Sequence, residues 1–142
     1  MSYSRGSSFN TQHWYESLME TRTREAIEQK RIEYEQEHEH DTDAMLLAAI
    51  RTRAAELGYT PFPAETYVQT LVIRRFGSWE RALRLAHLGP AKGAKRLRET
   101  KLYAEELRRQ QQLHREERDA RRACRREQHK DRDGKKEVPD GE

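Results

Sequence analysis

The chain has 142 residues, of which 37% are charged and 34% apolar. That composition excludes one large core drawn from the whole length and favours a single small folded module between long polar segments. The net charge of +3 is small but uneven, falling from −4 over residues 1–41 to +2 over 42–90 and +5 over 91–142, an asymmetry that points to a nucleic-acid or other acidic partner.

Residues 1–10, MSYSRGSSFN, are rich in Ser and Gly and read as a disordered tail. Thr11 is the expected N-cap of a charged helix over 11–40. Trp14 and Leu18 are spaced i,i+4, as are Tyr15 and Met19, and the apolar positions thin out beyond them. Such a helix is expected to dock only its start and leave the rest in water. His and carboxylates crowd together in 37-EHEHDTD-43. Alternating His38 and His40 on a helix end point in different directions, so a solvated terminus is expected and no metal site.

Residues 42–90 carry the strongest order. Asp41 or Thr42 starts a helix over 44–57 in which Leu46, Ile50, Ala54 and Leu57 form one apolar stripe. Gly58 ends it. Thr60-Pro61-Phe62-Pro63 forbids continuation and offers Pro63 as a first-turn residue. Residues 64–76 then give one helix, or two with a break near Gln69-Thr70 and Thr70 as cap. Gly77 stops this segment. Ser78 caps a last helix over 79–88, with Trp79, Ala82, Leu83 and Ala86 on one face. The expected fold class is all-α. It is a small three- or four-helix, helix-turn-helix-like module, flanked by long charged helices and disordered ends. Leu46, Ile50, Leu57, Phe76, Trp79 and Leu83 are the expected core.

Residues 91–96 read as a linker. Residues 97–130 lack Gly and Pro and read as a basic, largely exposed helix without a sustained heptad. A disordered tail is expected over 131–142. Cys124 is the only cysteine and lies in 121-RRACRR-126. It leaves no internal disulfide, so a reducing, cytoplasmic setting is expected. The apolar runs are far too short for a bilayer, and no membrane partner is expected.

The stretch 57-LGYTPFPAETYVQTLVIRRFGSWERALRLAHL-88 resembles the homing-endonuclease-associated repeat, a small helical DNA-binding module often found beside HNH-type nucleases. Leu57, Gly58 and Pro61 match its first element. Arg75, Phe76, Gly77, Ser78 and Trp79 match its second, with Ile73 offset by one position. Ala82, Leu83, Ala86 and Leu88 match its last. The resemblance covers residues 44–89, about a third of the chain, in a single copy. His87 departs from it, standing where the family usually has Gly in a left-handed cap. The resemblance implies DNA binding and a mobile-element or phage-like setting. No nuclease signature accompanies it.

On the residues themselves, Phe76 and Trp79 straddle a Gly-Ser corner and belong in the core. Gln69, Thr70 and Arg74 would form the outward face of a recognition-like helix, with Arg75 beside them. Arg51, Arg53, Arg81 and Arg84 would flank it as phosphate contacts, and Arg121, Arg122, Arg125 and Arg126 would add nonspecific affinity from the basic helix. Double-stranded DNA is the expected partner, with RNA as the other nucleic acid to be considered. A protein-interaction scaffold built on 11–40 and 97–130 is the competing reading. No Ser/His/Asp or Cys/His arrangement, no Gly-rich phosphate loop and no HNH-type His/Asn cluster stands in the sequence. No enzyme activity, cofactor, metal or small-molecule substrate is expected.

Overall fold

The structure, a computed structural model, describes residues 10–137. Among them are five α-helices and two short 3-10 turns, with no β-strand. The helices are α1 (Thr11–Glu37), α2 (Asp43–Leu57), α3 (Gln69–Phe76), α4 (Trp79–Leu85) and α5 (Lys101–Glu137), and the 3-10 turns are Pro63–Glu65 and Leu97–Glu99. The chain divides into two compact units, residues 1–108 and 109–142. Residues 1–9, most of the expected N-terminal tail, lie outside the described residues, as do 138–142 of the C-terminal one.

In the first unit, α1 begins one residue earlier in its cap than expected. Asn10 accepts the backbone N–H of His13 at 3.1 Å, and Thr11 is the first helical residue. The expectation that α1 buries only its start is corrected. Trp14 is 48% exposed, whereas Met19, Thr23 and Ile27 are fully buried. The stripe was hidden because its middle member is polar. Thr23 satisfies its hydroxyl by donating to the Met19 carbonyl at 2.6 Å, four residues back, and so enters the apolar face without an orphan group.

The module follows α1. Thr42 caps α2 by accepting the Met45 N–H, and Gly58 closes it in the left-handed region at φ 85°, its N–H on the Ala54 carbonyl. Pro61 and Pro63 prevent continuation, and the chain turns through Pro63–Glu65. The break before α3 lies at Thr66–Val68, earlier than Gln69-Thr70, and Thr70 sits inside the first turn instead of capping it. Ser78 caps α4 by accepting the Arg81 N–H at 3.1 Å. The two helices meet at the Gly77-Ser78 corner. Leu46, Ile50, Val68, Leu71, Val72, Phe76, Trp79, Ala82 and Leu83 form one buried cluster, and Tyr34 of α1 packs against it. All six expected core residues are buried, Leu57 included.

Helix α4 ends at Leu85, three residues sooner than expected, and for a clear reason. The Leu88 N–H bonds the Leu83 carbonyl and the His87 N–H bonds the Arg84 carbonyl. That is the paired-bond helix stop in which the residue after the cap turns left-handed. His87 occupies that position at φ 61°.

The expected linker is not free. Lys92 donates its N–H to the Thr60 carbonyl at 2.7 Å, and it pairs with Pro61 in an isolated parallel bridge. Ala91 packs on the module core. Thr100 then caps α5, accepting the Tyr103 N–H at 3.0 Å. The first turns of α5 are docked, with Leu102, Tyr103 and Glu106 buried. Leu102 and Tyr103 close a second small cluster on Ile27. Lys30 of α1 pairs with the buried Glu106.

The second unit is helical through Glu137. From Arg115 to Asp131 every side chain is exposed.

Candidate nucleic-acid interface

The arginines of the module divide into those that hold the fold together and those that stand free. Arg51 on α2 donates from Nε to the carbonyl of Ala86, the C-cap of α4, at 3.1 Å. A helix end leaves its last carbonyls without partners, and Arg51 supplies one. Arg75 at the end of α3 donates to the Asp41 carbonyl at 3.0 Å and to the Asp43 carboxylate at 2.8 Å. It ties the end of α3 to the start of α2. Arg53 is more deeply engaged. Its Nε donates to the Glu65 carbonyl at 2.8 Å, its Nη1 to Glu56 at 3.1 Å, and its Nη2 faces the Glu65 carboxylate at 3.7 Å.

The expected outward face of α3 is partly covered. Gln69 and Thr70 are half-buried. With its amide turned to satisfy both partners, Gln69 accepts from Arg31 of α1 at 3.0 and 3.1 Å. Arg74 keeps a side-chain exposure of 66% and faces Glu35 of α1 at 3.7 Å. An exposed pair at that separation is worth at most ~1 kcal/mol and is readily exchanged for another anion. Helix α1 covers this face because its C-terminal part, with Arg31, Tyr34 and Glu35, lies against the module.

Arg81 and Arg84 on α4 are different. Both are exposed, and among the described residues neither side chain makes an ion pair. Arg84 also borders a cleft of about 510 Å³ lined by Phe62, Trp79, Leu83, Leu88 and Pro90. The structure therefore separates the sequence-predicted set. Arg74, Arg81 and Arg84 present guanidinium groups to solvent, while Gln69, Arg51 and Arg75 are already bonded within the chain. Arg121, Arg122, Arg125 and Arg126 are all exposed on the second unit.

Trp79 is core rather than a stacking platform for bases. It is 6% exposed, and its indole N–H donates to the Pro61 carbonyl at 3.0 Å. The His-rich stretch after α1 is likewise internally bonded. His38 stacks on Tyr34 with ring centroids 4.0 Å apart, and its Nδ1 lies 2.8 Å from the Asp41 carboxylate.

Sequence reasoning missed the most enclosed charged groups, Glu65 and Glu106. Nothing local marks either, since each is a carboxylate whose partner lies on another helix.

With this geometry in place, the comparisons are specific to the module. Residues 41–88 match the family of the homing endonuclease associated repeat, in one copy. No curated protein and no solved structure matches the chain. Among the described residues no helix is long and apolar enough to cross a membrane.

Proposed function

We propose that this chain is a noncatalytic accessory protein that binds duplex DNA through its repeat module, with the basic part of α5 adding phosphate contacts. The observation that carries this reading is the family match over 41–88, a repeat whose description ties it to homing endonucleases. The free arginines support it. Arg81 and Arg84 sit at i and i+3 on one side of α4, and Arg74 adds a third guanidinium whose partner among the described residues, Glu35, is a weak one. Arginine binds phosphate oxygens through a planar fork, so such groups fix a protein on the duplex without reading sequence. The noncatalytic part of the reading rests on the sequence, where no Ser/His/Asp or Cys/His arrangement, Gly-rich phosphate loop or HNH-type His/Asn cluster stands. The same reading places the protein in the cytoplasm, where the single Cys124 stays a thiol.

The test is fluorescence anisotropy of labelled duplex DNA with the full chain, with Arg81→Ala/Arg84→Ala, and with Arg74→Ala. Both variants should bind more weakly at little-changed melting temperature, because Arg81 and Arg84 make no ion pair among the described residues and the exposed Arg74–Glu35 pair contributes little. Salt-sensitive self-association with no affinity for duplex DNA would instead favour the scaffold reading on 11–40 and 97–130. A stronger signal on RNA would reassign the nucleic acid.

A further inference from the structure

The second unit offers its surface pattern and little else. At about 100° per residue, Arg118, Arg121, Arg122, Arg125 and Arg126 stand at i, i+3, i+4, i+7 and i+8 and share one face of α5. His129 continues that face one turn further. Glu116, Glu127 and Asp131 fall on the opposite face, with Ala120 and Ala123, and Glu117 and Asp119 stand on the two flanks. The five-arginine face itself holds no carboxylate.

A solvated helix stabilised by its own ion pairs would place opposite signs four residues apart. Here the i,i+4 neighbours of these arginines include Arg118 with Arg122, Arg121 with Arg125, and Arg122 with Arg126, against one opposite-signed pair, Glu117 with Arg121. Like charges stacked this way destabilise a helix. Among the described residues, no ion pair or hydrogen bond neutralises the side chains of these five. All are exposed. The like-charged pairs outnumber the favourable one, and an anionic partner covering the face offsets them.

We propose that this arginine face is a docking surface for B-form duplex DNA, with the helix lying in the major groove and its guanidinium groups on the phosphates that flank it. The proposal rests on the DNA-associated reading of the repeat. A helix with side chains is about 10–12 Å across, and the major groove is about 12 Å wide. From Arg118 to Arg126 the helix rises about 12 Å. Over that length a duplex presents about seven phosphates, one for each ~1.7 Å of its axis. All five groups are arginine, which grips phosphate in a bidentate way that lysine does not. An acidic helical partner would want an apolar seam beside the charged stripe, and the flanks here carry no sustained heptad.

The experiment titrates labelled duplex DNA with three full-length proteins over a salt series. They are the wild type, a variant with all five arginines changed to Gln, and a shuffled variant, Ala120→Arg/Arg121→Ala/Arg122→Ala/Ala123→Arg. The shuffled variant keeps charge, composition and helix propensity but moves two arginines to the opposite face. Circular dichroism checks that helicity is kept. Each lost phosphate contact should flatten the log K against log salt slope by about 0.9. The shuffled variant should lose about two such contacts and bind about tenfold more weakly at low salt, and the Gln variant should lose four to five. Equal binding by the shuffled variant overturns the proposal in favour of charge alone. Unchanged binding by the Gln variant overturns it too, while leaving DNA binding by the module standing. Equal affinity for duplex RNA overturns the groove assignment, because the A-form major groove is too deep and narrow for a helix. No duplex binding by the wild type overturns both readings.

Discussion

The carboxylate of Glu65 accepts the backbone N–H of Lys101 at 3.0 Å, thirty-six positions further along the chain. A fully buried side chain from a 3-10 turn thereby satisfies the first turn of α5. Lys101 returns the contact, its ammonium reaching the Leu57 carbonyl at 3.4 Å and lying over the Tyr59 ring. The other Glu65 oxygen faces Arg53 Nη2 at 3.7 Å, and neither atom has a hydrogen bond. Arg53 is held besides by Glu56 at 3.1 Å and faces Glu105 at 3.9 Å, so Glu65 is the one enclosed member of a small carboxylate cluster around the guanidinium.

Removing that carboxylate takes away the one enclosed counter-charge of Arg53, leaving it the exposed Glu56 and Glu105, and leaves a helix N–H without an acceptor. Glu65→Ala is expected to cost about 3–5 kcal/mol, read as a fall in the urea midpoint of the full chain. Glu65→Gln keeps an acceptor for Lys101 and should fall between. Equal midpoints for wild type and Glu65→Ala would show that this pair does not hold the module to α5.

His87 stores strain that glycine would release. It lies at φ 61°, where the Cβ of an ordinary residue crowds the following carbonyl at a cost of roughly 1–2 kcal/mol. His87→Gly is expected to stabilise the protein by about 1 kcal/mol, after the greater chain entropy of glycine is subtracted. Calorimetry should show the melting temperature rising by a few degrees. A fall would mean that the imidazole contributes more than the backbone strain removes.

Arg75 and the Arg81–Arg84 pair should separate stability from binding. Arg75→Ala loses the bonds to the Asp41 carbonyl and the Asp43 carboxylate and should cost about 1–2 kcal/mol, as charge-assisted bonds that are partly exposed do. Its affinity for duplex DNA, per folded molecule, should stay close to wild type. Thermal melts and DNA titrations on the same samples check both halves. Undiminished stability with lost binding would place Arg75 back on the interface.

Alkaline pH should loosen the fold. Burial raises the phenols of Tyr34, Tyr67 and Tyr103 above their ordinary value of 10.0, and the carboxylates of Asp41, Glu106 and Glu20, respectively, push them further. Tyr59 is raised by burial and then by Glu65. Raised folded values mean that the neutral phenols support the native state. That support is complete below the unfolded value and is lost as pH rises through the folded ones. The melting temperature should hold to about pH 9 and fall above about pH 10. Tyr103→Phe should make the fall shallower, which separates the phenols from lysine titration.

The parts of this fold legible in the sequence are those written in local signals. Thr42, Gly58 and Ser78 mark helix ends through their own backbone partners, and the Leu46–Ile50–Leu57 stripe marks a face by its spacing. The docking of α1 was not legible, because Thr23 interrupts the apolar pattern and hides its hydroxyl by bonding the helix itself. Glu65 and Glu106 were not legible because their burial depends on Lys101 and Lys30, thirty-six and seventy-six positions away. The basic residues were found as a set. Their sorting into Arg51 and Arg75, which bond carbonyls, and Arg81 and Arg84, which face water, needed the tertiary structure. Charge marks an arginine in the sequence, but only packing decides what it is bonded to.

The most direct test of DNA binding through the free arginines is arginine-selective dicarbonyl labelling of the full chain, read by mass spectrometry with and without duplex DNA. The account predicts that DNA protects Arg74, Arg81, Arg84, Arg118, Arg121, Arg122, Arg125 and Arg126, while the reactivity of Arg51, Arg53 and Arg75 is the same in both states. Protection of none of these residues at saturating DNA, or protection confined to Arg51, Arg53 and Arg75, would contradict it.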